Sequence, residues 1–287
     1  MLTYALWVKE FLKDRLAVTG LAFLVFMCLV ALFAPVIAPY PDATTGVDLA
    51  HRLQAPGARH LLGTDQMGRD VLSRIIFGAR ITILVAVATI AGALVVGVPV
   101  GLIAGFYEGW LGTVLMRICD VFLSIPQVVL ALALAAALGA NIRNAIIAIT
   151  ITYWPWWSRA VYAETLTAKR SLYVEASMAM GVKRFKTMVV HVLPNILSPI
   201  IVRSTIGMGA AILTVAMLGY LGVGAQPPTP EWGLAVAESR DYLPGAWWFA
   251  TFPGLAIYFV VMAFNMLGDG LRDVLDPRLR ISGSKMK

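Results

Sequence analysis

The sequence predicts an all-α, polytopic membrane protein, and three observations carry that prediction. Hydrophobic residues make up 59% of the 287 and charged ones only 14%, with a mean hydropathy of +0.79; ordinary soluble domains carry about a quarter charged residues. Apolar runs of about 20 residues recur along the chain, each long enough to cross the hydrocarbon core of a bilayer. The basic residues fall mostly on alternate connections between those runs, the pattern that orients membrane proteins.

Six spans are expected, near residues 16–38, 80–105, 113–138, 144–165, 196–220 and 248–270. They form one transmembrane unit over 16–279, flanked by an N-terminal segment (1–15) and a short tail (280–287). The first run follows Lys9, Lys13 and Arg15, as a signal peptide would, but extends from Leu16 to Ala38. That exceeds the usual apolar core of a cleaved signal, so it reads as a retained span. An even number of spans puts both termini on one side. The connections on that side hold 15 Lys and Arg and those on the other hold seven, with Arg203 inside a span, so both termini are expected in the cytoplasm. The net charge of +7 is therefore an orientation signal and not a nucleic-acid footprint.

The first outer connection, 39–79, ends in a stretch where Met67, Val71, Leu72, Ile75 and Ile76 recur at helical spacing. An interfacial helix over 64–78 is expected there, with Asp70 and Arg74 as an i, i+4 pair on its polar face. In the second span Gly97, Gly101 and Gly105 repeat every four residues, the small-xxx-small pattern that lets another helix backbone approach closely. Pro99, Pro126, Pro155, Pro199 and Pro253 lie within or at the edges of spans, where each removes a backbone donor. Arg117 and Asp120 read as an i, i+3 structural pair; Arg159, Glu164 and Arg203 also sit toward cytoplasmic ends. Trp154, Trp156 and Trp157 beside Arg159 suit an interfacial aromatic belt better than a cage for a cation. The second outer connection, 221–247, is rich in turn residues from Gln226 to Gly233 and closes on Trp247 and Trp248, which suit the headgroup zone.

Catalytic and metal signatures are missing from the sequence. Cys28 and Cys119 have no Cys or His at ligand spacing, and His51, His60 and His191 are scattered. No H-E-x-x-H, no Gly-x-Ser-x-Gly and no G-x-x-x-x-G-K-[ST] loop appears, so any nucleotide is handled by another chain. Few ionisable residues lie deep in the spans, which weighs against a proton- or sodium-coupled carrier.

The strongest constellation lies in the cytoplasmic connection 166–195. A helix-forming stretch from Leu172 to Met180 stops at Gly181, the residue type best able to adopt the left-handed conformation past a helix end. A second helix is expected to run to Leu193, where Pro194 breaks it. Tyr173, Val174 and Met178 are expected on one side, with Lys183, Arg184 and Lys186 after the bend. Such a projecting unit suits a groove on a partner protein.

Glu175-Ala176, Gly181 six residues after the Glu, and Leu193-Pro194 at the end resemble the EAA loop of ABC importer permeases, with Ser177 for the second Ala and His191 for the usual Ile. His60 to Asp65 with Gly68 to Asp70, Gly224 to Gly233, Phe252 to Gly254, and Asn265 to Asp273 with Leu275 to Pro277 resemble the C-type permease of dipeptide and oligopeptide importers. The resemblance implies the six-helix type I permease fold in a bacterial or archaeal cytoplasmic (inner) membrane, surrounded by lipid. It implies a heterodimer with a homologous second permease, two ATPase subunits that bind ATP and Mg, and an extracytoplasmic substrate-binding protein. This chain itself would hold no catalytic site, cofactor, metal or nucleic acid. Tyr173, Glu175, Ala176, Ser177, Gly181 and Pro194 would couple it to an ATPase. Asp65, Arg69, Asp70, Pro227, Pro228, Glu231 and Trp232 would belong to the surface that receives the binding protein, the alternative being that these motifs brace the permease fold. Nickel, glutathione and opine importers share this permease type, and a stand-alone secondary carrier is the reading from a different class.

Overall fold

The computed structural model describes residues 10–275. The segments 1–9 and 276–287, with the Asp276-Pro277 end of the last motif and the basic tail, lie outside the described residues. Nine helices organise the described residues: α1 (Arg15–Ile37), α2 (Val71–Tyr107), α3 (Gly109–Leu123), α4 (Gln127–Leu138), α5 (Ile142–Lys169), α6 (Leu172–Ala179), α7 (Arg184–Tyr220), α8 (Trp232–Ser239) and α9 (Trp247–Leu275). Among the described residues α1, α2, α7 and α9 are individually long and apolar enough to cross a membrane, and α3 with α4 passes only as a bent pair. α5 is 28 residues long but less apolar, because polar, aromatic and charged residues interrupt its run.

α2 is the central pillar. At about 1.5 Å per residue its 37 residues reach about 55 Å, so it rises well beyond a hydrocarbon core of about 30 Å. Its outer end is the stretch expected to lie flat as a separate helix over 64–78. Helix begins instead at Val71, capped by Asp70, whose carboxylate accepts the Ser73 amide at 2.8 Å, and continues into the span without a break. Residues 64–70 form a turn, closed by a bridge between Thr64 and Asp70, in which Gly68 holds φ +75° under the Asp48 carbonyl. Met67 therefore does not belong to a helical stripe.

The glycine ladder does what its spacing implies. A Cβ on Gly97 would lie 2.7 Å from Trp157 Cβ and 2.9 Å from the Trp154 carbonyl; one on Gly105 would lie 2.8 Å from Thr165 Cβ. Gly101 faces Val161 and Tyr162 in the same way. These absent side chains let α2 and α5 touch backbone to backbone, and Ser158 Oγ donates to the Gly97 carbonyl across the seam at 3.1 Å. Trp157 is wholly buried in this seam, among Ile90, Ile149, Tyr153 and Leu218, so it belongs neither to a belt nor to a cage; Trp156 alone of the three is exposed.

α3 and α4 meet at 82°, with Pro126 capping α4. The span expected over 113–138 is thus broken near its middle, because Pro126 offers no amide to continue the ladder. Pro99, Pro155, Pro199 and Pro253, by contrast, lie inside continuous helices. Pro194 does not terminate its helix either. A π turn over Met188–Val192 widens the preceding turn, and the chain passes through Leu193 and Pro194 into α7 without interruption. The extra residue in that turn removes the need for the amide proline lacks.

Candidate functional site

The connection between α5 and α7 forms a helix, a bend and a second helix. α6 ends in a double closure: the Gly181 amide donates to the Met178 carbonyl at 3.0 Å and the Val182 amide to the Ser177 carbonyl at 3.2 Å. Gly181 takes φ +78°, the left-handed geometry this closure requires. Val174, Ser177, Thr187 and Met188 point inward, and the Ser177 and Thr187 hydroxyls meet at 3.2 Å between the two arms. Val174, Met188 and Val192 join Leu102 and Phe106 of α2 and Val161 of α5 in one apolar cluster, so the elbow is fixed to the pillar and the α2–α5 seam. Thr187 has no counterpart in the sequence reading; its role depends on an arm folding back, which spacing does not reveal.

The opposite face of the elbow is open. Leu172, Tyr173, Glu175, Ala176, Met180 and Phe185 are exposed, as are Lys183, Arg184 and Lys186. Tyr173 and Val174 therefore face opposite ways, where a common side was expected, because neighbours in a helix point about 100° apart. Among the described residues Glu175 makes no ion pair. Next to the elbow, Lys169 at the end of α5 binds Glu108 between α2 and α3 at 2.9 Å.

In the connections 39–70 and 221–246, five of the seven residues expected to meet a binding protein are buried: Asp65, Arg69, Asp70, Glu231 and Trp232. Only Pro227 and Pro228 are exposed. The buried five form an internal brace. Asp65 accepts the Met67 and Arg69 amides and the Arg69 Nε at 2.6 Å, and Arg69 and Arg74 both reach Glu238 of α8, at 3.2 and 3.3 Å. Asp70 takes His60 Nδ1 at 2.9 Å and Ser73 Oγ at 2.7 Å. The expected Asp70–Arg74 side-chain pair is thus replaced by longer-range partners. Trp232 Nε1 donates to the Ile75 carbonyl and Trp248 Nε1 to the Thr64 carbonyl, tying α8 and α9 to the top of α2; Trp248 is buried, and only Trp247 stands at the surface as expected. Glu231 caps α8 by accepting the Gly233 and Leu234 amides, and burial pushes its carboxyl up to about 7.

A third cluster lies on the α3–α5 seam. Arg159 pairs with Asp120, and Arg117 stands 3.8 Å from the same carboxylate. Glu164 of α5 pairs with Arg203 of α7 at 3.3 Å. Asp120 therefore has a near-neighbour partner in Arg117 and a second one, Arg159, that no local spacing connects.

Residues 97–281 match the family described as binding-protein-dependent transport system inner membrane component. The chain belongs to that family. Residues 4–56 match the N-terminal transmembrane domain of oligopeptide transport permease C. Over 272 residues, 95% of this chain and 89% of the relative, it is 43% identical to the dipeptide transport system permease protein DppC of Alkalihalophilus pseudofirmus. It is 42% identical to the di/tripeptide transport system permease protein DppC of Pseudomonas aeruginosa, covering 95% and 91%. It is 39% identical to the glutathione transport system permease protein GsiD of Pectobacterium atrosepticum, covering 95% and 90%. A chain of the inward-facing MetNI methionine ABC transporter superposes with a TM-score of 0.59 at 21% identity, covering 70% of this chain and 96% of that one, and so shares its fold, that of a type I permease. The protein is a multi-pass inner-membrane permease component and not an enzyme.

Proposed function

We propose that the chain is one of two permeases in an ATP-driven importer that moves di- and oligopeptides by alternating access. One observation carries the coupling role: an elbow anchored inward by Val174, Ser177, Thr187 and Met188 presents an exposed face led by Tyr173 and Glu175, without an ion pair for Glu175 among the described residues. A rigid projection of this kind suits a cleft on a soluble ATPase, since closure of the cleft then moves α5 and α7 directly. In this reading two ATPases bind ATP and Mg, a homologous second permease completes the pathway, and an extracytoplasmic binding protein delivers the cargo. The membrane is bacterial or archaeal, the spans number six with α3–α4 and α5 included, and both termini are cytoplasmic. The dipeptide permeases among its relatives support peptide cargo; the glutathione permease favours a second reading in which the cargo is a γ-linked peptide.

The binding protein meets an outer surface that the Asp65–Arg69–Glu238 brace shapes from within, with Pro227 and Pro228 at its exposed edge. Gentle extraction, affinity capture and mass spectrometry test the assembly. Two ATPases and a second permease are expected with the wild type, and Glu175→Ala should retain the second permease while losing ATPase. Capture of the chain alone, with solute still moving into vesicles in the absence of ATP, overturns the reading in favour of a secondary carrier.

A further inference from the structure

The cluster of Arg117, Asp120 and Arg159 is not absorbed by the coupling role. Asp120 lies eleven residues into α3 from Gly109, about 16 Å along the axis. The side chains of Arg117, Asp120 and Arg159 are 79%, 34% and 46% exposed, so the cluster opens outward from the α3–α5 seam. Ionisable groups on a membrane-spanning helix are costly against lipid and mark water-filled or protein-lined faces. Two guanidinium groups share one carboxylate, which leaves the cluster one positive charge in excess. Glu164, the nearest acidic group along α5, is engaged with Arg203.

The next chain segment points the same way. α3 stops at Leu123, the chain turns by 82°, and α4 starts at Gln127 after Pro126, with no capping side chain among the described residues. The open N-terminus of this 12-residue helix carries a partial positive charge of its own. Phe122 and Trp154 meet edge-on across the same α3–α5 seam with centroids 5.5 Å apart. Broken helices at membrane depth commonly hold the charged groups of a transported solute.

We propose that Arg159, assisted by Arg117, receives the C-terminal carboxylate of the peptide in transit, which takes the place of Asp120 on its guanidinium and is released when Asp120 returns. This rests on the peptide-importer reading. Arginine suits the role because its fork pairs with a carboxylate through two parallel hydrogen bonds. Asp120 suits release, because a resident counter-ion keeps Arg159 from holding the solute too tightly.

The test uses the whole importer in proteoliposomes with its own loaded binding protein, comparing a free-acid tripeptide with its C-terminal amide. The binding protein is the same throughout, so a change in the free-acid to amide uptake ratio between variants reports the pathway. Arg159→Gln is expected to lower the ratio of free-acid to amide uptake about tenfold, the scale of one charge-assisted contact. The double variant Asp120→Asn with Arg159→Gln removes both charges without stranding a carboxylate, and the same loss of preference is expected there. If both peptides fall equally in the double variant, or if it restores wild-type uptake and preference, the cluster is a structural pair or a contact with the second permease, and the proposal is overturned. A wild-type complex that moves neither peptide while its ATPases respond to another loaded ligand overturns the peptide reading instead, a result visible without any variant.

Discussion

Replacing Gly181 tests whether the elbow transmits force through its bend. Its φ of +78° lies where an L-residue pays about 1–2 kcal/mol, yet a side chain there meets nothing within 4 Å. The penalty is therefore confined to the backbone. Relaxing φ would break the Gly181–Met178 and Val182–Ser177 closures and swing the second arm away from the Ser177–Thr187 contact. Since 1.4 kcal/mol is a factor of ten, Gly181→Ala should reduce the population of the intact elbow about five- to thirtyfold against the relaxed form. Asn tolerates this region better than Ala, a β-branched residue worse, and Pro both fixes φ near −65° and removes the Gly181 amide. The expected order of damage is Asn, Ala, Val, Pro. The assay is stimulation of ATP hydrolysis by loaded binding protein in the reconstituted complex, with peptide moved per ATP measured alongside and membrane insertion checked by blot. Equal loss for Asn, Ala and Val, or wild-type coupling for Val, refutes the argument, because neither follows from a backbone penalty.

Gly97→Val and Gly105→Val should each lower the thermal midpoint of the detergent-solubilised chain by an amount corresponding to about 1–3 kcal/mol, since a Cβ already sits below 3.0 Å from α5; an unchanged midpoint would mean the seam is looser than 2.7–2.8 Å approaches imply. Glu238→Ala strands Arg69 and Arg74, both nearly fully buried, with Asp65 as their one remaining carboxylate, and should cost about 3–5 kcal/mol, read as lost outer-loop protection in hydrogen exchange. Glu231 has a carboxyl raised from 4.5 to about 7, so the stability it contributes is fully present below pH 4.5 and lost as pH rises to about 7. Glu231→Gln should flatten the pH dependence of unfolding between those limits, and a slope unchanged in the variant would assign it to another group.

What the sequence made legible follows from the range of each interaction. α6 and its glycine stop were readable because the closure involves residues within six positions, and the Gly97, Gly101 and Gly105 repeat was readable because one helix face suffices to declare close packing. The outer connections left two roles open, docking and bracing, for the opposite reason. Asp65, Arg69, Asp70 and Glu231 are charged residues in a connection, a pattern that ordinarily means a solvated surface, yet all four are buried, and Arg69 finds a second carboxylate in Glu238, 169 positions away. Trp157 and Trp248 misled in the same way: a tryptophan near a span end suggests the headgroup zone until another helix covers it, as α2 covers Trp157 and the 63–64 turn covers Trp248. The same limit applies to Asp120, whose local partner Arg117 is visible in the sequence while its second partner, Arg159, 39 positions away, is not. The charges that local spacing explains least are thus the ones the fold uses most: one group is sealed inside the outer brace, and the other is left open on the face that the proposed pathway would require.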